Sequence, residues 1–297
     1  MLIKEFFEFM RKREQIRINR ESGVPREQWT DDPILQKYKF TNVKREHDRT
    51  TRELMDGFYS GHNDAPPAQR LVNCAMARYF GRSSTVIEFG WRTDWSPDGQ
   101  QDLRARIEAR MTRREKIFTG AYIIPNCGMM EDKYIIVLGI LRQIADWSYT
   151  SGWWRPDLTF REFVKGLCFN VVGVGSFMAK EVILDFILSS GWTPPDWQTW
   201  TPIGPGARRG AARVVSEDGR LVSPLSEAKG LEVAKDLYDA YRQTAIPGIP
   251  KPDLWPEDWV KLDLADIQFQ LCEFDKYMRA KLGQGKPKSL FVPHKGE

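Results

Sequence analysis

"NVVGVGSFMAKEVILDFILSSGWTPPDWQTWTPIGPGARRG", residues 170–210, joins a glycine pair, a long apolar run and a basic, glycine-rich end. Gly173 and Gly175 stand between one helical pattern that ends near Asn170 and a second that runs from Ser176 to Ser190. Glycines at such a junction let the backbone turn tightly, and they bring its N–H groups and the next helix's N-terminus close to a phosphate. The same spacing also fits a plain helix-turn-helix packed into a core, because a short Gly-x-Gly carries little information. Further on, Asp196 follows "TPP", and Arg208 and Arg209 sit beside a glycine-rich turn. Guanidinium forks with exposed backbone N–H donors would hold a multiply charged phosphate there. A flexible basic loop on a DNA backbone is the alternative.

Outward from this stretch, the periodicity is helical almost everywhere, so the fold class is mainly α. "WTDDPILQKYKF" carries a start signal, with Asp32 as N-cap and Pro33 at the first helical position. Further helices are predicted at about 66–80, 101–117, 129–147, 159–170, 175–190 and 227–243. Near the end, Leu264, Ile267, Leu271, Phe274, Met278 and Leu282 share one stripe, while Asp266, Gln270, Glu273 and Tyr277 line another. "ARVVSEDGRLV" reads as a small hairpin around Asp218 and Gly219. Residues 191–226 are Pro/Gly/Trp-rich and too long for a simple connector, which points to a functional loop, and residues 244–259 read as a surface strap.

With 297 residues, 41% of them hydrophobic and 12% aromatic, the chain has ample material for a core, and its formal charge of +4 permits an anionic partner without requiring one. Cys74, Cys127, Cys168 and Cys272 lack the spacing of a zinc site and are expected to be reduced core thiols of a cytosolic protein. The first twenty residues read as an amphipathic helix rather than a secretion signal, and the longest apolar run, 134–141, is too short to span a bilayer. A soluble, cytoplasmic protein with no membrane partner is expected.

"GVGSFMA" resembles the hairpin of helix-hairpin-helix DNA glycosylases, and Asp196 lies close to where those enzymes keep their essential aspartate. Phe177 occupies the place of the Schiff-base lysine of bifunctional members, so strand-cleaving lyase chemistry is not expected. Three longer patches, "WTDDPILQKYKFTNVKREHDRTTREL", "DWQTWTPIGPGARRG" and "DIQFQLCEFDKYMRAKLGQGKPKSLFVP", resemble a group of glycosylase-related helical proteins of thymine hypermodification. These are the alpha-glutamyl/putrescinyl thymine pyrophosphorylases, also called amino acid:DNA transferases, and the helical domain attached to 5-hydroxymethyluracil DNA kinases.

The resemblance implies a helix-hairpin-helix DNA-glycosylase-like helical fold carrying that long Pro/Gly/Trp-rich loop. It spans 1–297 as one compact unit, or as two lobes, about 1–60 plus 150–297 and 61–149, with the site between them. The implied reaction replaces the diphosphate of 5-diphosphoryloxymethyl-deoxyuridine in double-stranded DNA with an amine or amino acid such as glycine, glutamate or putrescine. A viral source would place this in the host cytoplasm. Asp196 would act as general base, with a helix N-cap or turn aspartate as the alternative, and Arg208 and Arg209 would receive the diphosphate. A divalent metal could assist, but no ligand cluster assigns one, and the cofactor stays unknown.

Gly173, Gly175, Ser176 and Lys180 would contact DNA. Asn42, Arg45 and Asp48 of "FTNVKREHD", with Asp266, Glu273 and Lys276, would bind phosphate or the amine; an internal ion-pair network and an ordinary surface pair are the alternatives. Trp153, Trp154, Trp197 and Trp200 are candidate stackers for an extruded nucleotide. No GxxxxGK[ST] loop occurs, and "GQGKPKS" has the wrong spacing for one, so kinase chemistry is not expected of these residues alone. A noncatalytic DNA-binding module partnering a kinase and a monofunctional glycosylase remain the alternative functions.

Overall fold

The computed structural model describes residues 1–120, 124, 128, 130–243, 245–246, 249–250, 255–287 and 289–291. Cys127 and much of the 244–259 segment lie outside the described residues. The helices in chain order are α1 (Ile3–Glu21), α2 (Pro33–Lys37), α3 (Arg49–Leu54), α4 (Pro67–Phe80), α5 (Ser83–Phe89) and α6 (Pro97–Thr112). They continue as α7 (Lys133–Thr150), α8 (Phe160–Asn170), α9 (Ser176–Ser190), α10 (Pro205–Val215), α11 (Glu227–Arg242) and α12 (Leu264–Lys281). Two two-residue strands, β1 (Ala245–Ile246) and β2 (Ile249–Pro250), pair antiparallel. The mainly α class predicted from periodicity is therefore correct. The chain divides into two compact units, Met1–Asp48 with Trp197–Glu297, and Arg49–Asp196.

In the second unit α4 and α9 are buried along most of their length. Both carry several charges inward, and these charges find partners. Asp185 of α9 receives a two-pronged contact from Arg78 of α4 and a hydrogen bond from Tyr59 Oη (2.8 Å). Arg70 donates to the carbonyls of His62, Asn63 and Ser189. Satisfied in this way, the charges tie the helices together instead of opposing burial. Trp153 and Trp154 belong to an aromatic cluster with Trp147, Phe163, Phe186 and Trp192, where Trp153 lies 4.6 Å from Phe163, centre to centre.

The first unit is built around α12. Its stripe of Leu264, Ile267, Leu271, Phe274 and Met278 is at most 1% exposed and meets Phe6, Phe9 and Met10 of α1 in one core. Asp32 caps α2 by accepting from the N–H groups of Ile34 and Leu35, as the sequence predicts. The chain end returns to this unit: Tyr38 pairs antiparallel with Leu290, and Phe291 N–H donates to Lys37 O (3.0 Å).

The basic stretch departs from the sequence reading. Residues 205–215 form α10 rather than a glycine-rich turn, and "ARVV" is its last turn rather than a strand. The glycines serve packing. A Cβ on Gly210 would stand 1.9 Å from Leu271 O, and one on Gly206 would stand 2.9 Å from Cys272 Sγ. Gly206, Ala207, Gly210 and Ala211 thus let α10 press its backbone against α12. Glycine costs helix propensity, which hid the helix, but here only the missing side chain permits the approach.

Gly210→Ala is expected to destabilise the protein by at least about 1–3 kcal/mol, the usual cost of overpacking, because rigid backbone blocks the new methyl. Gly139→Ala, on an exposed position of α7 with open space around it, should be neutral or stabilising by up to about 1 kcal/mol. Urea unfolding of the two variants beside the parent checks both.

Candidate functional site

The second stripe of α12 is polar, yet it is buried as well. Asp266, Gln270 and Tyr277 are at most 8% exposed, because residues 39–48 lie across them. Gln270 Nε2 donates to the carbonyls of Asn42 (3.1 Å) and Val43 (3.3 Å). Glu273 accepts the Thr41 N–H (3.1 Å), and Lys276 donates to Lys39 O (3.0 Å) while pairing with Glu273 at 2.6 Å. Tyr277 Oη donates to Asp32 (2.7 Å).

Asn42 is the hub of this cluster. Its Oδ1 accepts from Arg13 Nη2 (2.7 Å), its Nδ2 donates to His47 O (2.6 Å), and its backbone N–H donates to Asp48 Oδ1 (3.0 Å). The short turn Arg45–His47 reverses the chain so that the Asp48 carboxylate comes back to Asn42. Arg13 reaches in from α1 and also donates to Thr41 O (2.9 Å), and Arg45 stacks its guanidinium on Phe269. Asn42, Arg45, Asp48, Glu273 and Lys276, named from separate parts of the sequence, are thus brought together. Asp266 joins their flank, facing Lys44, Glu46 and Asp263.

Burial governs the protonation here. It pushes Asp266 up to about 7, reinforced by the Asp263 charge and opposed by the Asp263 backbone N–H and by Lys44. Burial also holds Asp48 above the usual carboxylate range, against the pull of the Asn42 N–H, Arg45 and Arg13. It lowers Arg13 to about 10, which leaves that guanidinium charged at neutral pH.

Arg208 and Arg209 lie elsewhere. Arg208 Nε is held by Leu225 O (2.5 Å). Arg209 Nε donates to Asp275 (2.9 Å), and Arg213, one turn on, donates to the other Asp275 oxygen (2.8 Å). Asp275 is 1% exposed. At about 100° per residue, Asp275 points roughly 200° away from Glu273, so these arginines sit on the flank of α12 opposite the Asn42 cluster.

In the Arg49–Asp196 unit, residues 171–175 form a tight turn between α8 and α9, with Gly173 in the left-handed region at φ 88° and Gly175 as the N-cap before Ser176. The hairpin presents Phe169 (90% exposed), Val172 (69%) and Phe177 (44%) to solvent. Lys180 is 2% exposed and pairs with Glu181 at 3.3 Å, so its charge faces inward. The two Asp196 oxygens accept the N–H groups of Phe160 (2.5 Å) and Arg161 (3.1 Å), anchoring the start of α8 beside the Thr159/Glu162 capping box. Among the described residues no group of three or more His, Cys, Asp or Glu is arranged to hold a metal, and no helix is long and apolar enough to cross a membrane.

Arg13, Arg213 and Asp275 escape a motif reading, although a signal exists. Arg13 follows Phe6, Phe9 and Met10 at helical spacing, and Asp275 follows Leu271 and precedes Met278 in the same way. A charge on an otherwise apolar stripe marks a buried partner.

A mainly helical protein with a buried cluster of charged and polar groups and a glycine-turned helical hairpin is the class these features define. Residues 1–286 match the family described as "5-hmdU DNA kinase, helical domain", and the chain belongs to that family. The 5-hmdU DNA kinase of Bacillus phage SP10 is 25% identical over 271 residues, covering 84% of this chain and 40% of that protein. The chain therefore spans less than half the length of this relative. No solved structure matches.

Two outcomes test the cluster and its flank. Asp275→Ala would strand Arg213 in the core and should cost about 3–5 kcal/mol in urea unfolding, the range for breaking a buried pair. Asp266 holds a proton in the native state that the unfolded chain releases, so stability should fall as pH rises from about 3.8 to about 7 and then level off. Asp266→Asn should remove that slope, so unfolding measured near pH 5 and near pH 8 should give closer values for the variant than for the parent.

Proposed function

We propose that this protein is a DNA-modifying transferase of thymine hypermodification, which replaces the diphosphate of 5-diphosphoryloxymethyl-deoxyuridine in phage DNA with an amine or amino acid. The observation that carries the reading is the Asn42 cluster, a built acid–base site in a chain whose family is that of the 5-hmdU DNA kinase helical domain. The amine nitrogen bonds to the exocyclic methylene carbon, the carbon–oxygen bond breaks, and diphosphate leaves with the bonding pair. The proton shed by the nitrogen needs an acceptor.

Asp48 is that acceptor in this reading: half-buried, with a raised pKa, and fixed in place by the Asn42 N–H. Asn42, Arg45, Glu273 and Lys276 position the amine and its substituents, and Asp266 supplies a second carboxyl that titrates near neutrality. Gly173, Gly175 and Ser176 grip the DNA backbone through main-chain N–H groups, with Lys180 acting from beneath. Asp196 serves by holding α8 at the hairpin rather than by touching the amine. Arg208 and Arg209, on the far flank of α12 from Asp48, take the DNA-backbone role that the sequence left open. A second reading, a noncatalytic module that delivers a separate kinase to DNA, draws on the relative, of which this chain matches only 40%.

The test incubates the protein with DNA carrying 5-diphosphoryloxymethyl-deoxyuridine and a mixture of amino acids and polyamines, followed by mass spectrometry of the nucleosides. A nucleoside heavier than thymidine by one amine substituent, with diphosphate released, is expected. Asp48→Asn should slow its formation by about 10²–10⁴-fold while DNA binding persists. Binding with unchanged nucleosides would replace the transferase by the delivery module, and free base would point to a glycosylase.

A further inference from the structure

A cavity of about 340 Å³ opens between the second half of α1, the 24–30 turn, α2 and the returning chain end. It lies within the Met1–Asp48/Trp197–Glu297 unit, and two of the patches that carry the family resemblance supply Trp29, Tyr38 and Phe291 to it. Its volume sits at the small end of the roughly 300–1,000 Å³ found for small-molecule sites. Two chemistries meet in its wall. Arg13, Arg20 and Arg26 border it against a single carboxylate, Glu27, and the flat rings of Trp29, Tyr38 and Phe291 form much of the rest.

The wall is a built one. Trp29 is locked by its Nε1 donating to Val24 O (2.7 Å), and Phe291 is held by the Tyr38–Leu290 pairing, 6.2 Å from Trp29, centre to centre. Arg26 lies over the Phe291 ring at 5.1 Å, and among the described residues Arg20 pairs with Glu21 at 4.0 Å. Arg13 is 8% exposed, and among the described residues its Nη1 has no hydrogen-bond partner although the rest of its guanidinium is used. An unmatched donor on a buried guanidinium is costly unless an acceptor arrives.

Three guanidiniums against one carboxylate exceed what a single carboxylate ligand needs, and they match the roughly two negative charges of a phosphate. Aromatic walls favour a planar ring. We propose that this cavity receives a nucleotide, its base against Trp29, Tyr38 and Phe291 and its phosphate groups against Arg20 and Arg26. Arg13, bonded to Asn42 and bordering the cavity, links the bound anion to the proton-accepting cluster. That the nucleotide is the substrate of the transferase rests on the function proposed above; that a nucleotide binds here does not.

Calorimetric titration with thymidine 5′-diphosphate, inorganic diphosphate, thymidine and a short single-stranded oligonucleotide tests it. Thymidine 5′-diphosphate should bind at least about tenfold more tightly than diphosphate or thymidine alone. Arg20→Ala with Arg26→Ala, both at solvent-accessible positions, should weaken it by about tenfold or more with melting unchanged. Phe291→Ala should do the same by removing one wall. Competition by the oligonucleotide would identify the occupant as a nucleotide of DNA, and its failure to compete would identify a free nucleotide. Equal binding of inorganic diphosphate, an unaffected double variant, or no binding of the nucleotide would each overturn the proposal. Full amine transfer by the double variant would remove the cavity and leave the transferase standing, whereas nucleotide binding without amine transfer would do the reverse.

Discussion

A helix buried on nearly every side must find partners within the protein for each polar group it carries, and α12 is such a helix. Asp275 is matched by Arg209 and Arg213, the Gln270 Nε2 by two carbonyls though its Oε1 is left without a partner among the described residues, Glu273 by Lys276 and the Thr41 N–H, and Tyr277 by Asp32. Each of these groups would cost several kcal/mol if buried alone. Those costs dictate much of the unit's layout. The first 48 residues must cross α12 on one flank and α10 must press against the other, so segments far apart in the chain form one body.

This dependence also explains what the sequence disclosed. Eight of the helices, α1, α4, α6–α9, α11 and α12, announce themselves by helical periodicity and their flanking punctuation. The start of α2 is just as plain, since Asp32 and Pro33 solve the local problem of unbonded N–H groups. The polar set of α12 was visible as a stripe, but not that it was covered. Solvated and buried polar faces have the same periodicity, and only the chain lying over them distinguishes the two.

What stayed hidden was structure whose cause is tertiary. In α10 the glycines look like loop residues by propensity, whereas the backbone of Leu271 is what demands them. The expected hairpin at Asp218 and Gly219 fails for a related reason: the residues before it are needed in the helix, where Arg213 reaches both Asp275 and Gly219 O. The aromatic cavity is hidden more deeply still. Its rings come from the turn after α1, the residues just past α2 and residue 291, and their sequence separation gives no period to detect.

In the proposed displacement reaction, the cavity and the cluster would divide the demands between them. An incoming amine brings a proton that must be removed, and a departing phosphate group brings charge that must be held. Burial raises Asp48 above the usual carboxylate range and Asp266 to about 7, which suits proton acceptance. Arginines without a full complement of carboxylates suit the anion. If both sets shared one space they would neutralise each other, lowering the carboxyl pKa values and occupying the guanidinium forks. Asn42 stands between the two: it accepts from Arg13 through its neutral Oδ1 and donates its backbone N–H to Asp48, and burial still outweighs the pull of Arg45 and Arg13 on that carboxylate.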